Sequence, residues 1–384
     1  MARALEGIRV LDLTHVLAGP YCTFLLAGQG AEVIKIEDPA NPDPARGRGP
    51  DPALNAAGRG LTYQVQGAGK RALTLNLKAP AGAEIFRQLV ATADVVVENY
   101  RAGALDALGL GAEALQALKP DLIHCSITGF GAGGERMAIR AYDNVIQAAA
   151  GVIAQSGGQK PGLSFVDYAT GQAAAFAIAS ALLRRATGGG GQRLDVSMYD
   201  TALSMMLPEI AAVLHPSGET RGKEPGISAY ETADGALMLG AFTPAQNRRL
   251  WSALAAEGHE AGEMADTPDW PALWSRAEAM RPRLAKIFRT KSATAWQDWL
   301  HTHDLPGERV RSLDEAVADP HLAARGSLAT LGDAHTIAAP FTANEDGPHI
   351  SHGAPAFSAD TDALLSDLGY APDQIATLRA EGTI

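Results

Sequence analysis

The chain is poor in cysteine, in aromatic residues and in long apolar runs. Two cysteines among 384 residues, Cys22 and Cys125, exclude a disulfide framework and make a reducing cytoplasm the default compartment. Neither stands in a CxxC pair, so both read as packed thiols rather than reactive ones. No apolar run reaches the roughly 18–20 residues of a membrane span. The opening, Met1 to Gly7, has no apolar signal core. An excess of positive charge is lacking too: the formal net charge of −11 argues against general nucleic-acid binding. Of the ten histidines His301 and His303 stand closest, and an i, i+2 pair on a helix points two ways; with no HExxH either, no metal site is expected. No GxSxG elbow signals a hydrolase. Four glycines at 188–191 are not followed by the Lys-Ser/Thr of a phosphate-binding loop, and they read as a helix-to-strand turn.

What is present is the composition of a soluble globular protein, 46% hydrophobic and 20% charged, long enough for two or three domains. Residues 1–80 carry nine Lys/Arg against seven Asp/Glu, so the acidic excess lies in the rest of the chain. That distribution fits a local anion site better than a polyanion-binding face. Short β-branched runs at 9–13, 32–37, 72–77, 94–98 and 122–127 alternate with helical stretches, and a further strand is expected over 193–198. This rhythm predicts an α/β fold with a parallel sheet covered on both faces. Residues 38–60, rich in Pro, Gly and Arg, are expected as one long loop. An Ala-rich helix is expected over 168–187. Past about 225 the texture changes: Asp234-Gly235 signals a hairpin, Trp-rich helices follow, and Pro306-Gly307 reads as a linker. The segment from about 325 reads as an extended return ending in a helix near 359–368. The expected organisation is a large domain over 1–224, a smaller α+β domain over 225–324, and 325–384 completing the large domain.

Two features invite a chemical reading. Gly129-Phe-Gly131-Ala-Gly133-Gly134 satisfies GxGxxG after a strand, but the residues that follow do not open a helix, so a dinucleotide site is not expected. Asp167 ends the apolar approach Gly162 to Val166 where a long helix begins. Residue type alone favours a helix N-cap. A carboxylate at a helix N-terminus is also favoured as an anion, and carboxylates serve as covalent nucleophiles, so the two roles are compatible.

Taken together, several segments resemble the class III CoA-transferases, the CaiB–BaiF family, which also holds α-methylacyl-CoA racemases. The resemblance rests on Leu5 to Pro20 (LEGIRVLDLTHVLAGP), Gly30 to Glu37 (GAEVIKIE), Gly69 to Lys78 (GKRALTLNLK) and Ala93 to Leu105 (ADVVVENYRAGAL). Tyr142-Asp143-Asn144, the Asp167 segment, Asp319-Pro320-His321-Leu322 and Ala339-Pro340-Phe341 complete it. The resemblance implies a Rossmann-like large domain, a small domain and two chains interlocked as a homodimer in the cytoplasm. It implies CoA binding by His15, Val16, Leu17, Ala18, Lys70, Arg71, Leu75, Asn99, Arg101 and Arg140, with CoA as substrate and product and no separate cofactor. Asp167 is implied as the nucleophile, with Tyr142, Leu17 and Ala18 positioning the substrate. Two departures bear on phosphate binding: Asp38 and Ala107 stand where relatives carry Arg. Racemases of the family carry His where this chain has Tyr142, and a phenol is a poor acid–base partner at neutral pH, so transfer is favoured over racemisation. A non-catalytic CoA-binding protein is the alternative outside enzymes. The expected acceptor is a small organic acid such as a dicarboxylate, held by Arg46 or Arg48 if the 38–60 loop folds inward.

Overall fold

The computed structural model describes residues 3–216, 224–332 and 334–384. Along the chain run β1 (Arg9–Asp12), α1 (Ala18–Gly28), β2 (Glu32–Glu37), α2 (Pro52–Ala56), α3 (Leu61–Gly67), β3 (Lys70–Thr74), α4 (Pro80–Thr92), β4 (Val95–Glu98), α5 (Ala112–Leu118) and β5 (Ile123–Thr128). Then come α6 (Asp143–Ala149), α7 (Val152–Gln155), α8 (Phe165–Ala186), β6 (Gln192–Ser197), α9 (Met198–Ser204) and α10 (Leu207–Leu214). Two compact units result. One holds the chain up to Ala211 and again Ala323–Ile384, the other Ala212–Leu322.

In the first unit six strands form one sheet in the order β3-β2-β1-β4-β5-β6, every neighbouring pair parallel. β1, β2, β4 and β5 are buried on both faces, which is why they are written as largely apolar runs, whereas the edge strand β6 alternates half-buried and exposed residues. Leu11, Ile34, Leu73 and Val96 pack with α4 and α5 on one face. Val10, Val33, Val95 and Ile123 face α1 and α8 on the other. Cys22 and Cys125 are free thiols buried in this second cluster, and burial pushes both well above an ordinary thiol pKa.

The 72–77 strand is shifted: β3 spans 70–74, and the chain leaves the sheet where the Asn76 side chain accepts the Lys78 amide at 3.1 Å ahead of Pro80. Residues 38–60 are not an open loop. Asp43 accepts Ala45 N–H, Asp51 accepts Ala53 and Leu54 N–H, and the prolines that follow each aspartate start a short helical turn. The Asp-Pro pairs in the sequence carry that signal.

The second unit contains β7 (Ala229–Glu231), β8 (Ala236–Leu239), α11 (Pro244–Ala256), α12 (Trp270–Phe288), α13 (Ala293–Thr302), β9 (Gly307–Arg309) and α14 (Leu313–Val317). Its core is aromatic, with Trp251, Phe288 and Trp296 fully buried. Asp234-Gly235 turns β7 into β8. Gly307 does not belong to a linker: it pairs with Leu239 as the first residue of a third antiparallel strand. A Cβ there would meet Leu300 Cδ1 at 2.4 Å, so close packing explains the glycine.

The remaining elements are α15 (Pro320–Arg325), the hairpin β10 (Leu328–Leu331) and β11 (Ala334–Ile337), α16 (Thr361–Asp367) and α17 (Pro372–Ala380). α16 is tied to β3: Asp360 accepts Ala72 N–H at 2.8 Å and Thr361 Oγ1 accepts Thr74 N–H at 3.1 Å. The sequence reading stopped at α16; α17 adds Ile375 and Leu378 to the same core.

Candidate active site

In an open parallel sheet the ligand crevice lies beyond the carboxyl ends of the strands, where the strand order reverses. Here that point falls between β1 and β4. A cleft of about 640 Å³ opens there, within the range of small-molecule and cofactor sites. Residues 15–18 after β1, Asp38 after β2, Leu75, Leu77 and Lys78 after β3, and 99–101 after β4 form its walls, with 127–129, 137–142 and Asp167 completing the lining.

The turn after β1 is fixed from several sides. Asn99 brackets the His15 peptide, its Oδ1 accepting His15 N–H and its Nδ2 donating to His15 O, both at 2.9 Å. Val16 has φ of 72°, a left-handed conformation that a β-branched side chain disfavours. Directly after it α1 begins, and the amides of Ala18 and Gly19 have no acceptor within the helix. Leu17 and Ala18 thus bring a helix N-terminus to the cleft wall. Burial, reinforced by Lys35, pushes the His15 imidazole below its ordinary pKa. Tyr100 packs edge-on against it, its amide donating to Glu98 at 2.8 Å.

Asp167 lies in the first turn of α8 but does not cap it. Ser164 occupies the N-cap position without a side-chain bond. The capping acceptor is Asp143, whose Oδ2 takes the Val166 amide at 2.9 Å and the Asp167 amide at 3.4 Å. The Asp167 carboxylate is left facing the cleft. Burial first, and the Asp143 charge second, push its pKa up to about 7. The expectation that the helix N-terminus would hold it fully ionised is therefore corrected: desolvation and a like charge outweigh the helix dipole.

His15, Val16, Leu17, Ala18, Leu75, Asn99, Arg101, Arg140, Tyr142 and Asp167 come together in this one cleft. Lys70 does not. It is 1% exposed and pairs with Asp12 at 2.9 Å, while also donating to Pro20 O and Thr23 Oγ1 beneath α1. Burial would raise the Asp12 pKa, but Lys70, Lys35 and the Thr14 and Thr23 hydroxyls hold it well below the usual carboxylate range. Arg71 lies outside the lining as well, turned toward Glu32, Asp360 and Asp367. Arg46 is buried in a pair with Glu37 at 2.6 Å, stacked 3.8 Å from the Tyr63 ring, and so is not available to an acceptor carboxylate. Arg48 is exposed and is not part of the cleft. The cations that do line it are Lys78, Arg101 and Arg140, all exposed and without an ion-pair partner among the described residues. Lys78 was missed as a ligand candidate. A lysine four residues past a both-faces-buried strand is free to reach solvent, whereas Lys70 within the strand is not. Among the described residues no three His, Cys, Asp or Glu side chains converge as a metal site, and no helix is long and apolar enough to cross a membrane.

Comparison with known proteins agrees with this geometry. The family model described as CoA-transferase family III matches residues 5–361. Succinate–glutarate CoA-transferase of Agrobacterium fabrum is 36% identical over 341 residues, 84% of each chain. Formyl-CoA:oxalate CoA-transferase of Rhodopseudomonas palustris is 30% identical over the whole of this chain and 98% of its own. The crystal structure of a CAIB/BAIF family protein from Brucella suis superposes with a TM-score of 0.81 at 28% identity, covering 96% of this chain and all of that one.

Proposed function

This chain belongs to CoA-transferase family III and is a CoA-transferase; we propose that it performs the transfer through a covalent intermediate on Asp167. The observation that carries the reading is the placement of the Asp167 carboxylate in the same cleft wall as the α1 N-terminus and three unpaired cations. The Asp167 carboxylate attacks the donor thioester carbonyl, and CoA leaves as thiolate, giving an aspartyl mixed anhydride. The thiolate then attacks the aspartyl carbonyl and expels the donor acid, leaving an Asp167–CoA thioester. The acceptor carboxylate attacks that thioester, releasing thiolate again, and the thiolate attacks the acceptor acyl carbonyl to free Asp167. A thioester is exchanged for a thioester, so neither hydrolysis nor a further cofactor is needed. The amides of Leu17 and Ala18 are suited to the oxyanions that form at each step.

Lys78, Arg101 and Arg140 are the groups available to the CoA phosphates, in place of Lys70 and Arg71. Tyr142, at the rim and 67% exposed, positions substrate rather than moving a proton. The acceptor we propose is a short dicarboxylic acid, supported by the likeness to a succinate–glutarate transferase and by the cationic rim. The working form is an interlocked homodimer. α8 leaves Phe176 and Leu183 76% and 66% exposed, an apolar stripe that a second copy would cover. Two buried free thiols suit the reducing cytoplasm.

Hydroxylamine trapping tests the intermediate. Added during turnover with an acyl-CoA and a dicarboxylate, it is expected to convert Asp167 to the hydroxamate, seen by peptide mass spectrometry, and Asp167→Asn is expected to abolish exchange while still binding CoA. Ordinary exchange by Asp167→Asn would overturn the reading.

A further inference from the structure

The cleft turn has an unusual backbone economy. Between Thr14 N and Val16 N, every peptide donor and acceptor is bonded to a side chain. Asp12 takes Thr14 N–H, Lys35 Nζ donates to Thr14 O, Asn99 takes both groups of His15, and Asp43 Oδ1 takes Val16 N–H at 3.1 Å. Asp43 and Lys35 join at 3.0 Å, each side chain 1% exposed. Asp43 does not belong to the sheet. It comes from the 38–60 segment, where its own amide is held by Glu37 Oε1 at 2.9 Å and its Oδ1 also accepts Ala45 N–H. Burial would raise its pKa, but Lys35 and these amides hold it below the usual carboxylate range, so it is an anion at neutral pH.

A buried ion pair is poor evidence of stabilisation in itself, since desolvation offsets much of the attraction. What this pair does locally is specific. Lys35 holds the carbonyl before His15 and Asp43 holds the amide of Val16, so the peptides that enter the left-handed residue are fixed in place. Relaxed to an ordinary φ, Val16 would rotate the following peptides, and the Leu17 and Ala18 amides would leave the cleft wall.

We propose that Asp43, paired with Lys35, is a positioning residue for the transfer reaction: it holds Val16 in its strained conformation and thereby aims the Leu17 and Ala18 amides at the reacting carbonyl. Nothing places Asp43 in contact with substrate; its effect passes through the turn. The inference rests on the reading of the cleft as the acyl-CoA site.

The test is a double-mutant cycle of Asp43→Asn with Val16→Gly, read by kcat, by KM for acyl-CoA and by calorimetric CoA binding. Asparagine keeps an oxygen for the Val16 amide but loses the charge that pairs with Lys35. A misaimed site of this kind is expected to lower kcat about 100-fold while KM and CoA affinity change about threefold or less. Glycine adopts the left-handed conformation without a Cβ penalty, so adding Val16→Gly is expected to restore about tenfold of the loss. Should Asp43→Asn not fold, Lys35→Met/Asp43→Asn removes both buried charges together and carries the same cycle. An unchanged kcat in the asparagine variant, or a loss that Val16→Gly does not relieve and that CoA affinity follows in step, overturns the role of Asp43. A wild-type enzyme that exchanges CoA but binds it elsewhere, with Lys78→Ala and Arg140→Ala silent, overturns instead the reading of the cleft, and the inference falls with it.

Discussion

Asp143 and Asp167 share one helix terminus: a single Asp143 carboxylate oxygen caps the amides of Val166 and Asp167, while the Asp167 carboxylate stands beside it without a cation among the described residues. The cap that α8 needs is thus supplied from 24 residues upstream, and its negative charge makes Asp167 harder to ionise.

The nucleophile must be the carboxylate, so with the Asp167 pKa raised to about 7, kcat/KM is expected to fall with unit slope on the acid side of about pH 7. Asp143→Asn removes the like charge and keeps an oxygen for the cap. The Gln147 side chain, whose Oε1 is buried without a partner among the described residues, can turn over to receive the new amide. The acid limb is expected to move to lower pH in this variant, as a pH–rate profile will show.

Asp167 also links stability to pH. Its folded-state pKa lies above that of an unfolded aspartate, near 4, so the folded protein binds this proton more tightly. Its stabilising contribution is complete below about pH 4 and is lost as pH climbs through about 7. Asp167→Asn is therefore expected to melt higher than wild type at pH 8, with the gap closing toward pH 4 in thermal scans.

Lysines eight residues apart are expected to fail in opposite ways. Lys78→Ala, at the cleft rim, is expected to raise KM for acyl-CoA about tenfold through the loss of a charged phosphate contact, with Tm unchanged. Lys70→Ala strands a buried Asp12 and is expected to cost about 3–5 kcal/mol of stability, read by chemical denaturation.

Gly171 is where α1 and α8 touch. A Cβ there would lie 2.6 Å from Ala18 O and 2.9 Å from Tyr21 Cδ1. Gly171→Ala is expected to cost about 1–3 kcal/mol by forcing the helices apart. Because Asp167 and Ala18 ride on those helices, kcat is expected to drop more than the melting shift alone explains.

The exposed apolar stripe of α8 bears on assembly. Wild type is expected to show twice the chain mass in light scattering, with no monomer at micromolar concentration, and Phe176→Glu is expected to lose that species.

The sheet was legible because strands buried on both faces are written as β-branched runs, and the helices on either side mark their limits. Asp167 stood out because an apolar approach ends on an acid where a helix begins. What stayed hidden depends on distant partners. A lysine in Gly69 to Lys78 looks like a phosphate ligand wherever it falls. Only the folded contacts separate them: Lys70 bonds Asp12, Pro20 O and Thr23 beneath α1, while Lys78 lines the cleft. Arg46 was misread for the same reason, since its partner Glu37 lies on a strand and its cover, Tyr63, on a later helix. The capping role of Asp143 left no local trace at all.

The side chains that hold the turn at 14–16 are scattered along the chain, Lys35 and Asp43 21 and 27 positions from the groups they bind and Asn99 84 positions away. Beyond the Asp12 bond to the Thr14 amide, a nascent or refolding chain therefore cannot shape this turn from local sequence, and the bracket on His15 arrives only once β4 has docked beside β1. The same dependence governs the native protein's breathing. The amide hydrogen of His15, held by Asn99 directly after β4, meets solvent deuterium only when β4 parts from β1, so its exchange should be as slow as that of the strands themselves, although it belongs to a connecting segment.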